Sequence, residues 1–401
     1  MRLFRTFGAA MAAVLAVVIS ASPAAAAPQA PTYRFNKKTL WKSSGDPATC
    51  YRLPAVVKTK KNVLLAFAER RNRNDCSDYG AFDIVMRRSV DDGQEWQDSK
   101  VVLASEPGAM LQGNATVVAD SEGPVFLFST SEPSATVHRP RTPKVQVSTD
   151  DGVTWSEPRD LSNVIKAPAG AGDWFAVGPG HGIQLTRGDH VGRLVVPVYF
   201  TVGTQQSVRL IYSDDHGATW KTGATATYNK DTTLELGEQT LVEQADGSIL
   251  VIARNNRVDN PATSVRGMAR GVSKDGGETF DGAFRVDGAI IAPPTHPALL
   301  RQRWPEQSYS RILLSAPATP KTNNNAKGMN VRSSFDEGAT WQNWNNKVDN
   351  SGIQIDDHHA GYSDMVLIGN GAIGVLYEAG ESRFRDEIRW NWFWESAIGL
   401  R

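Results

Sequence analysis

The sequence predicts an all-β fold: a six-bladed β-propeller of four-stranded antiparallel blades carrying five Asp-box hairpins. Three observations predict it. An eight-residue pattern, S-x-D-x-G-x-T-W, recurs at Ser148–Trp155, Ser213–Trp220 and Ser334–Trp341, with variants at Ser89–Trp96 (Glu95 for Thr) and Ser273–Phe280 (Phe for Trp). The five serines are spaced 59 to 65 residues apart, which marks an internal repeat. No stretch reads as a long amphipathic helix. A period of about 60 residues suits four short strands and their connections, and about six periods fill the chain.

Each box has a local reason. The runs before it, such as Phe82–Met86, Lys144–Val147 and Val208–Tyr212, alternate or are apolar and read as strands. Asp, a second polar residue and Gly then make a turn. A short carboxylate accepts backbone N–H groups one or two residues on, and Gly takes positive φ. Thr-Trp opens the return strand, with the ring expected beneath its own turn. Identical chemistry repeated five times is a device of the fold rather than a metal or catalytic site. The ring is expected to close by pairing a strand near Thr39-Leu40-Trp41 with the last one, Glu387–Phe393.

From the first residue, Met1–Ala26 reads as a secretory signal peptide. Arg2 and Arg5 begin it, Ala9–Ile19 is its apolar run, and Ala24-Ala25-Ala26 supplies small residues for cleavage. The apolar run is too short for a bilayer span, so a secreted chain without a membrane partner is expected. Residues 27–401 read as one domain. Lys and Arg total 43 against 43 Asp and Glu, so no basic excess points to nucleic acid. The cysteines are two, Cys50 and Cys76; an even pair in an exported chain suggests a disulfide, which would join two segments carrying candidate site residues. Zinc-type spacing is absent, and the adjacent His358-His359 reads as polar filler.

Six short motifs carry the chemistry. They are Thr49–Pro54 (TCYRLP); Leu64–Arg71 leading to Asp75–Gly80; Gly178–Leu185 (GPGHGIQL); Gly237-Glu238-Gln239 with Arg254 sixteen residues on; Arg332 before the fifth box; and Tyr362-Ser363-Asp364 with Glu378 sixteen residues on. Taken with the boxes, the chain resembles the sialidases (neuraminidases) of the Asp-box superfamily, glycoside hydrolase family 33, across its length after the leader. Tyr-Arg-Leu-Pro is that family's Tyr/Phe-Arg-Ile-Pro element with Leu for Ile.

The resemblance implies roles residue by residue. Arg52, Arg254 and Arg332 match three arginines that bind the sialic acid carboxylate, a task for a permanently charged planar fork. Glu378 matches the glutamate that holds the first of them. Asp78 matches the general acid/base on a loop, nine residues before Arg87, and Asp75 is its local competitor. Tyr362 matches the nucleophile and Glu238 its base. A neutral phenol approaches an anomeric carbon bearing a carboxylate more easily than another carboxylate would, and a neighbouring glutamate activates it. Arg71, Asn114 and Tyr199 are secondary substrate contacts, and Trp174 and Gln184 are candidates for the rim. Ala115 replaces the family's usual proline, and Arg71 stands two residues further from Asp78 than in animal relatives. The implied activity is exo-α-sialidase: retaining hydrolysis of sialylated glycans by a monomer that needs no metal or organic cofactor. The competing expectations are a non-catalytic sialic-acid-binding propeller and, among enzymes, a trans-sialidase or a hydrolase of the deaminated sugar.

Overall fold

The structure, a computed structural model, describes residues 35–399 apart from 46–47, 73–75, 79, 81, 106–110, 133–140, 166–170, 203–204, 227–233, 257–265, 319–326, 343–351 and 370. The expected leader Met1–Ala26 and the competitor Asp75 lie outside the described residues, as does the side chain of Trp174. Among the described residues the helices are 3-10 turns of three or four residues.

The strands form five sheets in propeller arrangement: four of four or five strands, and one of seven. The seven-stranded sheet runs from Ala298–Arg303 to Glu387–Phe393 and ends on Asn36–Lys42, the first strand of the chain. Thr39 lies opposite Arg389 and Lys42 opposite Glu387, so the two chain ends close the ring as the sequence suggests. The sheet is continuous because one 15-residue strand, Ile353–Leu367, pairs with Lys327–Ser334 through its first half and with Ile373–Gly380 through its second.

Adjacent sheets bury apolar faces against each other. The five boxes supply part of that seam. In every box the glycine N–H donates to the serine Oγ at 2.8–2.9 Å. The aspartate accepts the N–H four residues on, as Thr154 N to Asp150 at 2.9 Å, rather than one or two residues on. That longer reach is allowed because the fourth and fifth box residues both take positive φ, as His216 (54°) and Gly217 (81°) do. Trp96 stays with its own turn, its Nε1 donating to the Gly93 carbonyl at 3.2 Å, and three of the box tryptophans also cross the seam. They reach the preceding sheet: Trp155 meets Phe67, Trp220 meets Phe128 at 4.8 Å, and Trp96 meets the buried Trp390 at 5.3 Å, edge to face. The Trp96–Trp390 contact joins the first box to the last sheet.

The inner strands are tied by polar bonds. Val56 N–H donates to Asp364, Leu299 N–H to Thr240 Oγ, and Gln239 Nε2 to Val198 O. Four of the five strands joined in this way carry residues of one cleft.

Candidate active site

The cleft, about 320 Å³, is lined by charged and amide side chains with little apolar surface beyond Leu53 and Phe82. Its floor begins at Arg52, on strand Ala48–Lys58. Arg52 is 7% exposed, and such a cation needs a partner. Glu378, on the neighbouring strand Ile373–Gly380 and fully buried, supplies it: Arg52 Nε donates to Glu378 Oε1 at 2.5 Å. The same carboxylate accepts Leu53 N–H and Tyr362 N–H, both at 3.1 Å. Burial works against the Arg52 charge, but Glu378 outweighs it and the guanidinium is held more firmly protonated than usual.

Tyr362 stands where strand Ile353–Leu367 changes register against its neighbour. Its hydroxyl donates to Glu238, with both carboxylate oxygens at 2.6 and 2.8 Å. Arg254 Nη1 donates to the Tyr362 oxygen at 2.7 Å and to Glu238 Oε2 at 2.7 Å. Glu238 and Arg254 come from paired strands, Leu236–Glu243 and Ile249–Asn255, whose register shifts between Leu236 and Gln239. Burial raises the phenol's proton affinity well above the ordinary tyrosine value; Arg254 pulls it down and Glu238 pushes it up.

Asp78 faces this group from a loop and is largely exposed. Arg71 Nη1 reaches its Oδ1 at 2.6 Å, and Arg52 Nη1 lies 3.9 Å away. Partial burial raises the proton affinity of Asp78, but Arg71 and Arg52 outweigh it and the carboxyl sits below its ordinary value. Arg71 is itself buried and held by Glu69 Oε2 at 2.6 and 2.8 Å. It also donates to the carbonyls of Cys76 and Ser77. Cys50 and Cys76 form a disulfide, so the strand of Arg52 and the loop of Asp78 are covalently joined. At the other end of the cleft, Glu69 Oε1 accepts Asn114 N–H at 2.6 Å, and Asn114 Nδ2 donates to Tyr199 Oη at 3.1 Å. Burial raises the Tyr199 phenol as well, so it stays a neutral donor.

This arrangement puts a phenol on a carboxylate, two arginines beside it and a second carboxylate across the opening. A family profile described as a BNR repeat-like domain matches residues 62–375. The chain is 30% identical over 368 residues to an exo-alpha-sialidase of Aspergillus fumigatus, covering 84% of this chain and 80% of that protein. The chain belongs to the BNR-repeat sialidase family.

A sialidase of Micromonospora viridifaciens is likewise 30% identical over 400 residues, 94% of this chain and 58% of that protein. The chain thus spans little more than half of that relative. In fold it is similar to the Hadza microbial sialidase Hz136, with a TM-score of 0.73 at 21% identity, over 90% of this chain and 69% of the other.

One expected member of this sialidase-family site is elsewhere. Arg332 is fully buried, donates to the carbonyls of Ala316 and Pro317, and does not line the cleft. The reason is its place on strand Lys327–Ser334. Lys327 pairs with His359, three residues from Tyr362, whereas Arg332 lies two residues from the box serine. Five residues of strand put it roughly 17 Å further along. Gln184 also serves another purpose, bonding Asp120 and the Gly192 carbonyl. Conversely, Glu69, Arg141, Gln206, Glu235 and Asn256 line the cleft without having been singled out. Glu69 was legible in principle, since two residues before Arg71 on a strand is the same face. Gln206 and Asn256, which bond each other, sit in strand ends whose sequence reads as ordinary polar edge.

Among the described residues, Asp356, Asp357 and His358 alone bring three ligand-type side chains close enough to share a metal. Asp356 there already accepts from Tyr377 at 2.7 Å and Arg389 at 3.0 Å, as structural ion pairs do.

Proposed function

We propose that this chain is an exo-α-sialidase, releasing terminal α-linked sialic acid from sialylated glycans by retaining hydrolysis through a tyrosyl-enzyme intermediate. The observation that carries it is the Tyr362 hydroxyl held 2.6 Å from Glu238 and 2.7 Å from Arg254. A lectin could use the arginines, but it has no need for a phenol seated on a base.

Arg52 and Arg254 bind the sugar's carboxylate. Because burial keeps the phenol protonated, its proton passes to Glu238 as the Tyr362 oxygen bonds to the anomeric carbon. The glycosidic C–O bond breaks, and Asp78 gives its proton to the leaving oxygen. Asp78 then takes a proton from water, the water oxygen bonds to the anomeric carbon, and Tyr362 leaves and recovers its proton from Glu238. Asp78 is ionised in the empty cleft because Arg71 and Arg52 face it. A substrate carboxylate on Arg52 weakens that influence and returns proton affinity to Asp78 when an acid is required. Arg71, Asn114 and Tyr199 serve as secondary contacts to the sugar.

The fold is taken as six blades, with the seven-stranded sheet counting as two that share the strand Ile353–Leu367. The chain is taken as a secreted monomer released after Ala26, which the N-terminus of protein recovered from culture medium and its mass by light scattering would check. The deciding experiment is hydrolysis of a fluorogenic α-sialoside by the chain from residue 27, beside Tyr362→Phe and Asp78→Ala. Turnover that falls about 10²-fold or more in both variants, at unchanged thermal stability, is the expected result. Sialic acid binding without turnover by the wild type would leave a lectin. Turnover of the deaminated sugar alone would keep the chemistry and change the substrate.

A further inference from the structure

The segment Gly178–Leu185 lines none of the cleft, yet it places a histidine on Asp364, two residues beyond Tyr362. His181 is on the two-residue strand Gly180–His181, which pairs in parallel with Leu111–Ala119. Its Nδ1 lies 2.5 Å from Asp364 Oδ1. Asp364 is 1% exposed and two residues beyond Tyr362, where the strand has resumed regular pairing after its register shift. The second oxygen of Asp364 accepts Val56 N–H at 2.8 Å, four residues beyond Arg52. One carboxylate therefore joins strands from three sheets. On the far side of Tyr362, Glu378 does the equivalent work, accepting from Arg52, Leu53 N–H and Tyr362 N–H. The strand of Tyr362 is clamped to that of Arg52 both before and after the phenol. The Glu378 clamp has a guanidinium to balance its charge, and the Asp364 clamp, among the described residues, has His181.

We propose that His181 is a positioning residue for Tyr362: paired with Asp364, it holds strand Ile353–Leu367 against Ala48–Lys58 so that the Tyr362 hydroxyl stays on Glu238. The proposal rests on the sialidase reading above. The surroundings fit a charged imidazole. Burial opposes its charge, but Asp364 outweighs burial and raises the proton affinity of His181 above the ordinary 6.5. The other titratable groups facing this core are His296, whose ring centre is 6.0 Å from that of Tyr362, together with Tyr362 itself and Glu238. His296 is 1% exposed, and burial lowers its proton affinity, so it stays neutral and does not compete for Asp364. A group whose folded value is raised is charged at low pH and loses its charge as pH rises through that value. The clamp thus weakens on the alkaline side.

The test has a kinetic arm and a spectroscopic arm. On the fluorogenic α-sialoside, His181→Ala is expected to lower kcat about tenfold or more, with KM within about threefold, since small displacements of a reacting group are costly. His181→Asn, whose amide can donate in place of Nδ1 without titrating, is expected to recover most of kcat and to flatten the alkaline limb of its pH profile. Unchanged kcat and pH profile in both variants would overturn the proposal, and the Asn variant decides should the Ala variant fail to fold. In the second arm the His181 imidazole, assigned by its disappearance from the spectrum of His181→Asn, is titrated by NMR. A value above that of a free imidazole is expected; a free or lowered value overturns the pairing. This arm needs no turnover, so an inactive wild type would sink the sialidase reading while the titration still decided the clamp.

Discussion

The box turns and the cleft are both built from carboxylates, hydroxyls and N–H groups, and they use them in opposite ways. Strand Phe82–Ser89 carries a cleft-lining ring at one end and a box serine at the other, so the two lie about 20 Å apart on one strand. In a box the bonds among serine, aspartate, glycine and threonine that make the turn close over two to four residues, as Ser148 with Asp150 and Asp150 with Thr154. In the cleft the bonds that join different sheets link partners far apart in sequence: 85 residues for Asn114 and Tyr199, 124 for Tyr362 and Glu238, 326 for Arg52 and Glu378. The third-position aspartate of each box is held by N–H and hydroxyl groups of its own turn, five times over. The cleft balances cation against anion, once. Damage to a box should therefore cost stability and spare chemistry, and damage to the cleft should do the reverse unless the residue also clamps strands.

The sharpest test of that rule's second half is Glu238→Gln. It removes the base and keeps the shape, so kcat is expected to fall by about 10²- to 10⁴-fold, with the melting temperature within a few degrees. Steady-state kinetics beside calorimetry would show it, and a large melting shift would mean that Glu238 is structural. Glu378→Gln should show the exception, a clamp whose loss costs binding and stability together. The carboxylate is fully buried and answers three donors, so Arg52 would be left a buried, poorly paired cation. A loss of about 3–5 kcal/mol in denaturant unfolding is expected, together with a raised KM for the sialoside. A raised KM at full stability would make Glu378 a contact rather than a clamp.

The same contrast explains what could be read before the structure. Local, repeated devices leave a sequence signature, so the boxes, the all-β class and the ring closure through Glu387–Phe393 were legible. The reach of Trp96, Trp155 and Trp220 into the preceding sheet was not legible, because packing across a seam between sheets leaves no mark in the eight residues themselves. In the cleft, Arg52, Asp78, Glu238, Arg254 and Tyr362 were found through resemblance, and they converge. Arg332 was not separable from them by sequence: an arginine flanked by Val331 and Ser333 looks the same at either end of a strand. Position along the strand, which register against Ile353–Leu367 sets, decided it. Gln206, Glu235 and Asn256 escaped notice because polar residues at strand ends are common and only the fold brings these together.

On the box side the largest expected effect is Gly217→Ala. Gly217 takes φ of 81°, and a Cβ there would run into the Phe126 ring of the preceding sheet. Strain and overpacking together should cost about 2–4 kcal/mol, read from the unfolding midpoint, while kcat and KM of the folded enzyme stay near wild type. A fall in kcat at full stability would show that the seam communicates with the cleft.

The smallest effect is in acid. Hydrogen bonds from Thr154 hold the Asp150 carboxyl down to about 2 from an ordinary 3.8, and the aspartates of the other four boxes are lowered too. A depressed carboxyl stabilises the folded chain above its unfolded value and loses that contribution as pH falls through the folded one. The Asp150 box should therefore lose stability between about pH 4 and pH 2, and the other four as pH falls below the ordinary carboxylate value. Asp150→Asn keeps an acceptor but cannot titrate, so its unfolding free energy should lie below wild type at neutral pH and converge towards it in that window. Kinetics at neutral pH should not change. Parallel stability curves across the window would mean that the box aspartates are held by geometry alone; convergence would mean that their charge does the holding, five times over, at a rim where no substrate is turned over.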